Sequence, residues 1–278
     1  MRLYRIKRGL IIEIENNYYL LENESWDTFF NDDHLINKIQ EITARQKPIL
    51  KGSSILETEI MAPIQSQEIW AAGVTYFNSK LGRQEESKNS GGGQFYAHVY
   101  EAERPELFFK ATASRTAGPG EKVRIRKDSE WNVPEPELTL AITSTGKIIG
   151  FTIGNDMSSR SIEGENPLYL PQAKTYDGCA SIGPCIYVTD KPLMKDTPIN
   201  MDIYRGQKKV FDGQTSIARM KRRPEELASF LYRECSFPHG CYLMTGTGIV
   251  PSPDFTLEKG DEIHITINPI GTLINTVK

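Results

Sequence analysis

Apolar and polar residues follow each other along this chain in short runs, most of them with a period of two and only a few with a helical period. Residues 9–15 and 17–21 read as two strands joined by a turn at Glu15, Asn16 and Asn17. Leu35, Ile36, Ile39 and Ile42 fall at helical spacing, which predicts a helix over about 31–45 that Pro48 brings to a stop. Residues 68–76 form a buried strand of small and apolar side chains, and 104–110 a second, in which Glu106, Phe108 and Lys110 share one face. Basic residues alternate over 122–127 in the manner of an exposed edge strand, where Lys and Arg discourage stray pairing. Further strands are predicted at 182–189, 201–205 and 208–213, with a closing strand pair through Gly271. A helix over 224–235 carries Glu225 and Glu226 in its first turn, where the helix dipole favours acids. The pattern gives an α+β, mostly β protein, with a small N-terminal α/β domain at 1–62 and a larger domain at 63–278.

The most informative stretch runs from Glu135 to Lys174. Glu135 and Glu137 are spaced i, i+2, so on a strand both side chains leave one face. A turn-rich patch, Thr143-Ser144-Thr145-Gly146-Lys147, separates this run from a second apolar run that ends at Gly154-Asn155-Asp156, which predicts a β-hairpin. A two-residue loop at Thr145-Gly146 pairs Ser144 with Lys147 and sets Glu135 opposite Asp156. Three like charges then crowd the open end of one hairpin, and that repels unless a positive group sits among them. Glu135, Glu137 and Asp156 therefore read as ligands of a hard divalent cation. Lys174 follows an irregular segment that contains Pro167 and Pro171, and it is the cation best placed to meet these acids. Residues 79–103 are densely charged around a Ser-Gly-Gly-Gly run, the composition of a lid.

Composition narrows the function. Among 278 residues, 38% are hydrophobic and 25% charged, with a net charge of −3, so no basic excess marks a nucleic-acid surface. No apolar run reaches the length of a membrane span, and the first ten residues lack the apolar core of a secretory signal. Cys179, Cys185, Cys235 and Cys241 have neither zinc-knuckle nor disulfide-scaffold spacing, and they read as buried thiols of a cytoplasmic protein. Thr245-Gly246-Thr247-Gly248 exposes backbone N–H groups to an anion but lacks the Lys-Ser/Thr of a nucleotide-binding loop.

Glu-x-Glu on a strand, Asn155-Asp-Met-Ser-Ser-Arg160, Gln172-Ala-Lys174, Gly183-Pro184 and Met244-Thr-Gly-Thr-Gly248 occur in an order that resembles the fumarylacetoacetate hydrolase family over about residues 66–278. The run from Glu163 to Lys174 is similar to a branch that dehydrates 2-keto-3-deoxy sugar acids. Ser161 departs from the pattern, because the family commonly has Asp there. The resemblance implies a mixed β-roll, a homodimer, and Mg2+ (with Mn2+ or Ca2+ as substitutes) held by Glu135, Glu137 and Asp156. It also implies a small-molecule 2-oxo acid substrate, with no nucleic acid or membrane as partner. The reaction it implies is loss of water from such an acid, and the alternative is hydrolysis or decarboxylation of an acylpyruvate or a related 2-oxo acid. Lys174 is the candidate for binding the carboxylate or assisting proton transfer and Glu106 for general base, with Lys110, Thr245, Gly246 and Thr247 at the substrate. A His-Glu pair over the site would favour the hydrolase, and His98 with Glu101 is the one combination that fits.

Overall fold

The alternating runs fold into two packed sheets in the computed structural model, which describes residues 1–86 and 93–278. The middle of the expected lid, 87–92, and the side chains of 93–95 lie outside the described residues. The large sheet runs in the order β3 (Asn17–Glu22), β2 (Gly9–Ile14), β1 (Arg2–Ile6), β10 (Ala180–Val188), β9 (Ile148–Ser159), β8 (Asn132–Ile142), β13 (Cys241–Met244), β4 (Glu68–Gly73), β5 (Glu106–Thr112), and β6 (Thr116–Ala117) pairs beside β10. The smaller sheet is β12 (Lys208–Ser216), β11 (Pro198–Arg205), β14 (Glu262–Ile267), β15 (Gly271–Val277) and β7 (Lys122–Val123). Both sheets mix parallel and antiparallel pairs: β13 runs parallel to β4 and β7 parallel to β15, whereas β8 and β9 are antiparallel. No helix among the described residues is long and apolar enough to cross a membrane.

Period-two alternation on β8 and β9 sends side chains into two different cores. Leu138, Leu140, Ile142, Phe151 and Ile153 pack against Ile199, Met201, Ile263 and Ile265 of the smaller sheet. Ala141 belongs to the opposite core, with Trp26, Phe29, Phe30 and Leu35 of α1 (Trp26–Phe30) and α2 (Leu35–Arg45). Every residue of β8 is buried as a result, since both faces of the sheet are covered. The chain from residue 1 does not stand apart from this layer. β1 pairs with β10 at Leu3↔Ile186, so the first three strands extend the large sheet.

Several boundaries differ from the sequence expectation, each for a local reason. α2 begins at Leu35 and not near 31, because Asp32 Oδ1 accepts the His34 N–H and Asp33 accepts from Thr143 and Thr145 of the hairpin turn. β7 is only two residues long, and Arg124 and Arg126 leave the sheet to meet Asp177 and Asp128. The segment before Lys174 is helical, not irregular: α6 (Arg160–Glu165) is capped by Ser159, and α7 (Leu170–Lys174) begins with Pro171 in its first turn, a position where the missing N–H costs nothing. Two elements without a sequence signal, α1 and α3 (Gly52–Glu59), complete the N-terminal part. The four cysteines are free, and three of them are buried.

Candidate metal centre

The hairpin register at its open end is the one expected from the sequence. Glu135 lies opposite Asp156 and Glu137 opposite Gly154. The turn end differs, because Thr143 N–H donates to Lys147 O and Gly146 N–H to Thr143 O, so the loop has three residues. Gly146 adopts φ +88° and the register shifts by one near Ile149, the signature of a type I turn closed by a left-handed residue and a bulge. The bulge absorbs the extra loop residue before the acids are reached.

One oxygen from each of Glu135, Glu137 and Asp156 lies within 4.8 Å of the other two, and all three side chains are buried. Three hard carboxylate oxygens at such spacing match the donor set that Mg2+ takes from protein, and the octahedral preference of that ion would keep further positions for oxygens from a ligand or water. Protein cations surround them. Lys174 Nζ donates to Glu135 Oε2 at 2.8 Å, Asp156 Oδ2 at 3.1 Å and Ser158 Oγ at 2.6 Å, and lies 3.3 Å from Glu163 Oε1. Arg160 Nη2 stands 2.6 Å from Glu135 Oε1. Arg83 pairs with Glu163 at 2.9 Å, and Arg160 reaches Glu86 at 2.6 Å. Six carboxyl groups (Glu86, Glu106, Glu135, Glu137, Asp156, Glu163) and four cations (Arg83, Lys110, Arg160, Lys174) meet here among the described residues, an excess of two negative charges when all are ionised. One divalent cation cancels that excess.

The titration behaviour follows from which acids have a cation beside them. Burial pushes the Glu135 carboxyl upward, but Lys174, Arg160 and Arg83 outweigh it and hold the group below the usual carboxylate range. Glu137 is compensated less: burial, then Asp156 and Glu135, drive its pKa well up, and Lys174 and the Gly246 N–H at 2.5 Å only partly counter this. Burial also raises Glu106, whose Oε2 is enclosed without a hydrogen-bond partner. Burial works against the Lys174 ammonium, yet Asp156, Glu135 and Glu163 more than offset it and hold its pKa above the ordinary lysine value.

Other expected site residues sit close by in different employment. Lys110, wholly buried, lies 2.5 Å from Asp156 Oδ1 and donates to Met157 O at 2.9 Å and to the backbone oxygen of Lys174, so its ammonium braces the site. Thr245 Oγ1 donates to Leu138 O at 2.8 Å, and Thr247 Oγ1 to Ile249 O at 3.2 Å. Gly246, at φ +94°, has no room for a side chain, because a Cβ would come within 2.1 Å of Thr75 Oγ1. Ser161 accepts the Trp131 N–H at 2.9 Å and that of Glu130 at 3.2 Å, tying down the loop before β8. His98 is exposed and Glu101 pairs with Lys221 at 2.6 Å, so neither joins the triad. Arg83 and Glu86 are legible in the sequence only as part of the charged stretch that reads as a lid, and Arg160 and Glu163 only as members of the runs that resemble the family, since their partners are distant in sequence.

A model of the fumarylacetoacetate hydrolase C-terminal family matches residues 69–278. The chain is 43% identical over 295 residues to 2-dehydro-3-deoxy-D-arabinonate dehydratase of Saccharolobus solfataricus, with 100% of this chain and 96% of that protein covered. It is 47% identical over 225 residues to a probable 2-keto-3-deoxyxylonate dehydratase of Haloferax volcanii, covering 81% of this chain and 76% of that protein. A solved structure of 2-keto-3-deoxy-D-arabinonate dehydratase complexed with magnesium and 2,5-dioxopentanoate superposes with a TM-score of 0.85 at 35% identity, covering 100% of this chain and 99% of that one.

Proposed function

The chain belongs to the fumarylacetoacetate hydrolase family, and on that premise we propose that it is a magnesium-dependent dehydratase of a 2-keto-3-deoxy sugar acid. The observation that carries the reading is the buried triad of Glu135, Glu137 and Asp156 with the Lys174 ammonium among its oxygens. When bound, magnesium supplies a Lewis acid for the keto oxygen of the substrate, which stabilises the negative charge left there as a C3 proton departs.

The protein residues divide the remaining tasks. Glu135, Glu137 and Asp156 hold the ion, and Lys110 and Gly246 fix two of these carboxylates from behind. Lys174 is the group to bind the substrate carboxylate or carry the C3 proton. Its contacts with Glu135 and Asp156 are those a dication would take over, which frees Nζ for the substrate and lowers its pKa towards a useful range. Glu106, whose pKa burial raises, suits an acid that donates to the departing C4 hydroxyl better than a base. Thr245 and Thr247 flank Gly246, whose N–H holds Glu137. A cation that merely stapled the hairpin would need neither a lysine nor a buried carboxyl with an enclosed oxygen beside it. The fold family also leads us to propose a homodimer.

The test is an incubation of the purified chain with MgCl2 and 2-keto-3-deoxypentonates. The expected product is 2,5-dioxopentanoate, lost on chelation of the metal and in Glu135→Ala and Glu137→Ala. Pyruvate release from acylpyruvates with no product from the sugar acids would overturn dehydration in favour of hydrolysis. Undiminished turnover in both Ala variants would overturn the metal site.

A further inference from the structure

α4 (Phe77–Glu86) sends two charged side chains, one helical turn apart, into the charged network, and each meets its opposite on α6. Arg83 Nη1 lies 2.9 Å from Glu163 Oε1, and Glu86 Oε1 lies 2.6 Å from Arg160 Nη1. All four side chains are at most 5% exposed. Arg160 Nη1 also approaches Glu163 Oε2 at 3.3 Å, so the four groups form one connected set of two cations and two carboxyls. Each α6 partner then touches the centre itself: Arg160 Nη2 stands 2.6 Å from Glu135 Oε1, and Glu163 Oε1 3.3 Å from Lys174 Nζ. The backbones fit as closely as the charges, because a Cβ on Gly164 would lie 2.9 Å from the Glu86 carbonyl oxygen.

A guanidinium is a rigid planar fork, so the acid that holds one arm sets the direction of the other. Building on the magnesium reading of the triad, we propose that α4 is a positioning element for the metal centre. Glu86 and Arg83 clasp Arg160 and Glu163, and through them fix the orientation of the Glu135 carboxylate and the Lys174 ammonium. Without Glu86, Arg160 turns toward Glu163 and Glu135, and the Glu135 oxygens are held less well for the ion. A clasp that served only stability would leave the affinity for the metal unchanged in folded protein.

The experiment is titration calorimetry of MgCl2 into the full chain without substrate, with thermal melts run on every variant. Glu86→Gln keeps the shape and removes the charge, and it weakens magnesium binding by about 10- to 100-fold, the effect expected of groups that orient metal ligands. Glu86→Asp recovers part of that loss. Gly164→Ala alters no charge but pushes on the α4 backbone, and it weakens binding in the same direction; it also decides the matter where Glu86→Gln does not fold. Leu81→Ala, at an exposed α4 position, leaves the affinity at the wild-type value. Folded Glu86→Gln or Gly164→Ala that binds magnesium within twofold of wild type overturns the clasp while leaving the metal site intact. A wild-type chain that binds no magnesium overturns the metal reading, and the clasp falls with it.

Discussion

Glu106, the acid proposed above, shows how one backbone position governs a buried side chain. It faces Gly73 across β4 and β5, and a Cβ at Gly73 would lie 1.8 Å from Glu106 Oε2. Gly73→Ala therefore displaces that carboxyl. The expected outcome is a fall in kcat of about 10²-fold or more, the scale for loss of one general acid, with magnesium affinity unchanged in calorimetry. Glu137 makes a second case. Its pKa is raised by burial and by its two acidic neighbours, so it holds its proton well above the ordinary carboxyl range when no cation is present. In the metal-free protein that shift favours the folded state at low pH, and the advantage is lost as pH climbs from the unfolded carboxyl pKa through the raised one. A bound dication reverses the preference and expels the proton. Magnesium thus binds more tightly as pH rises, releases protons on binding, and raises Tm more at pH 8 than at pH 5. Calorimetry in two buffers of different ionisation enthalpy, with paired thermal melts, checks the sign; an affinity independent of pH would count against it.

The hairpin of β8 and β9 carried most of what was legible beforehand, because a period of two is readable from residue types alone. Acids at i and i+2, a turn patch and a third acid sufficed to place Glu135 opposite Asp156. The loop length expected from Thr145-Gly146 was short by one residue, yet the acids still met, since the bulge near Ile149 compensates before the site. Gly146 is where the turn depends on glycine, at φ +88° with the Tyr232 ring 3.4 Å from its missing Cβ. Gly146→Ala is expected to cost about 1 kcal/mol and lower Tm by about 2–4 °C while magnesium affinity stays put, because the strain stays at the far end of the hairpin. The short helices were opaque for the opposite reason. α6 and α7 have six and five residues, too few for a period to emerge, and their starts rest on Ser159 and Pro171. Their charged side chains acquire meaning only through partners distant in sequence, as Arg160 does through Glu86, 74 residues away.

At the scale of the molecule, the large sheet joins parts of the chain that composition alone separates. A boundary near residue 62 suits the change in sequence character, but β1 pairs with β10, and Leu3, Leu10 and Ile12 share a core with Ile182, Ile186, Met244 and Tyr242. A body whose core crosses the boundary so fully should lose its structure as one cooperative unit. Leu3 is a specific probe of this continuity, because it is fully buried on the strand that meets β10. Leu3→Ala removes apolar volume from that shared core, a loss of about 2–5 kcal/mol at a site that cannot collapse. If the sheet is one unit, the whole calorimetric transition moves down as a single peak, and the temperature at which magnesium binding is lost moves with it. If the first 62 residues melt by themselves, an early transition separates from the main one and the metal site survives it. The covered edge of β10 adds a second consequence of continuity. A chain that begins after β3 would expose the unpaired backbone of that strand beside Ile182, Ile186 and Val188, the kind of bare edge that pairs with other chains. Size-exclusion chromatography of such a truncation should show aggregates, and a well-behaved species with normal magnesium affinity would show that the N-terminal strands form a separable module after all.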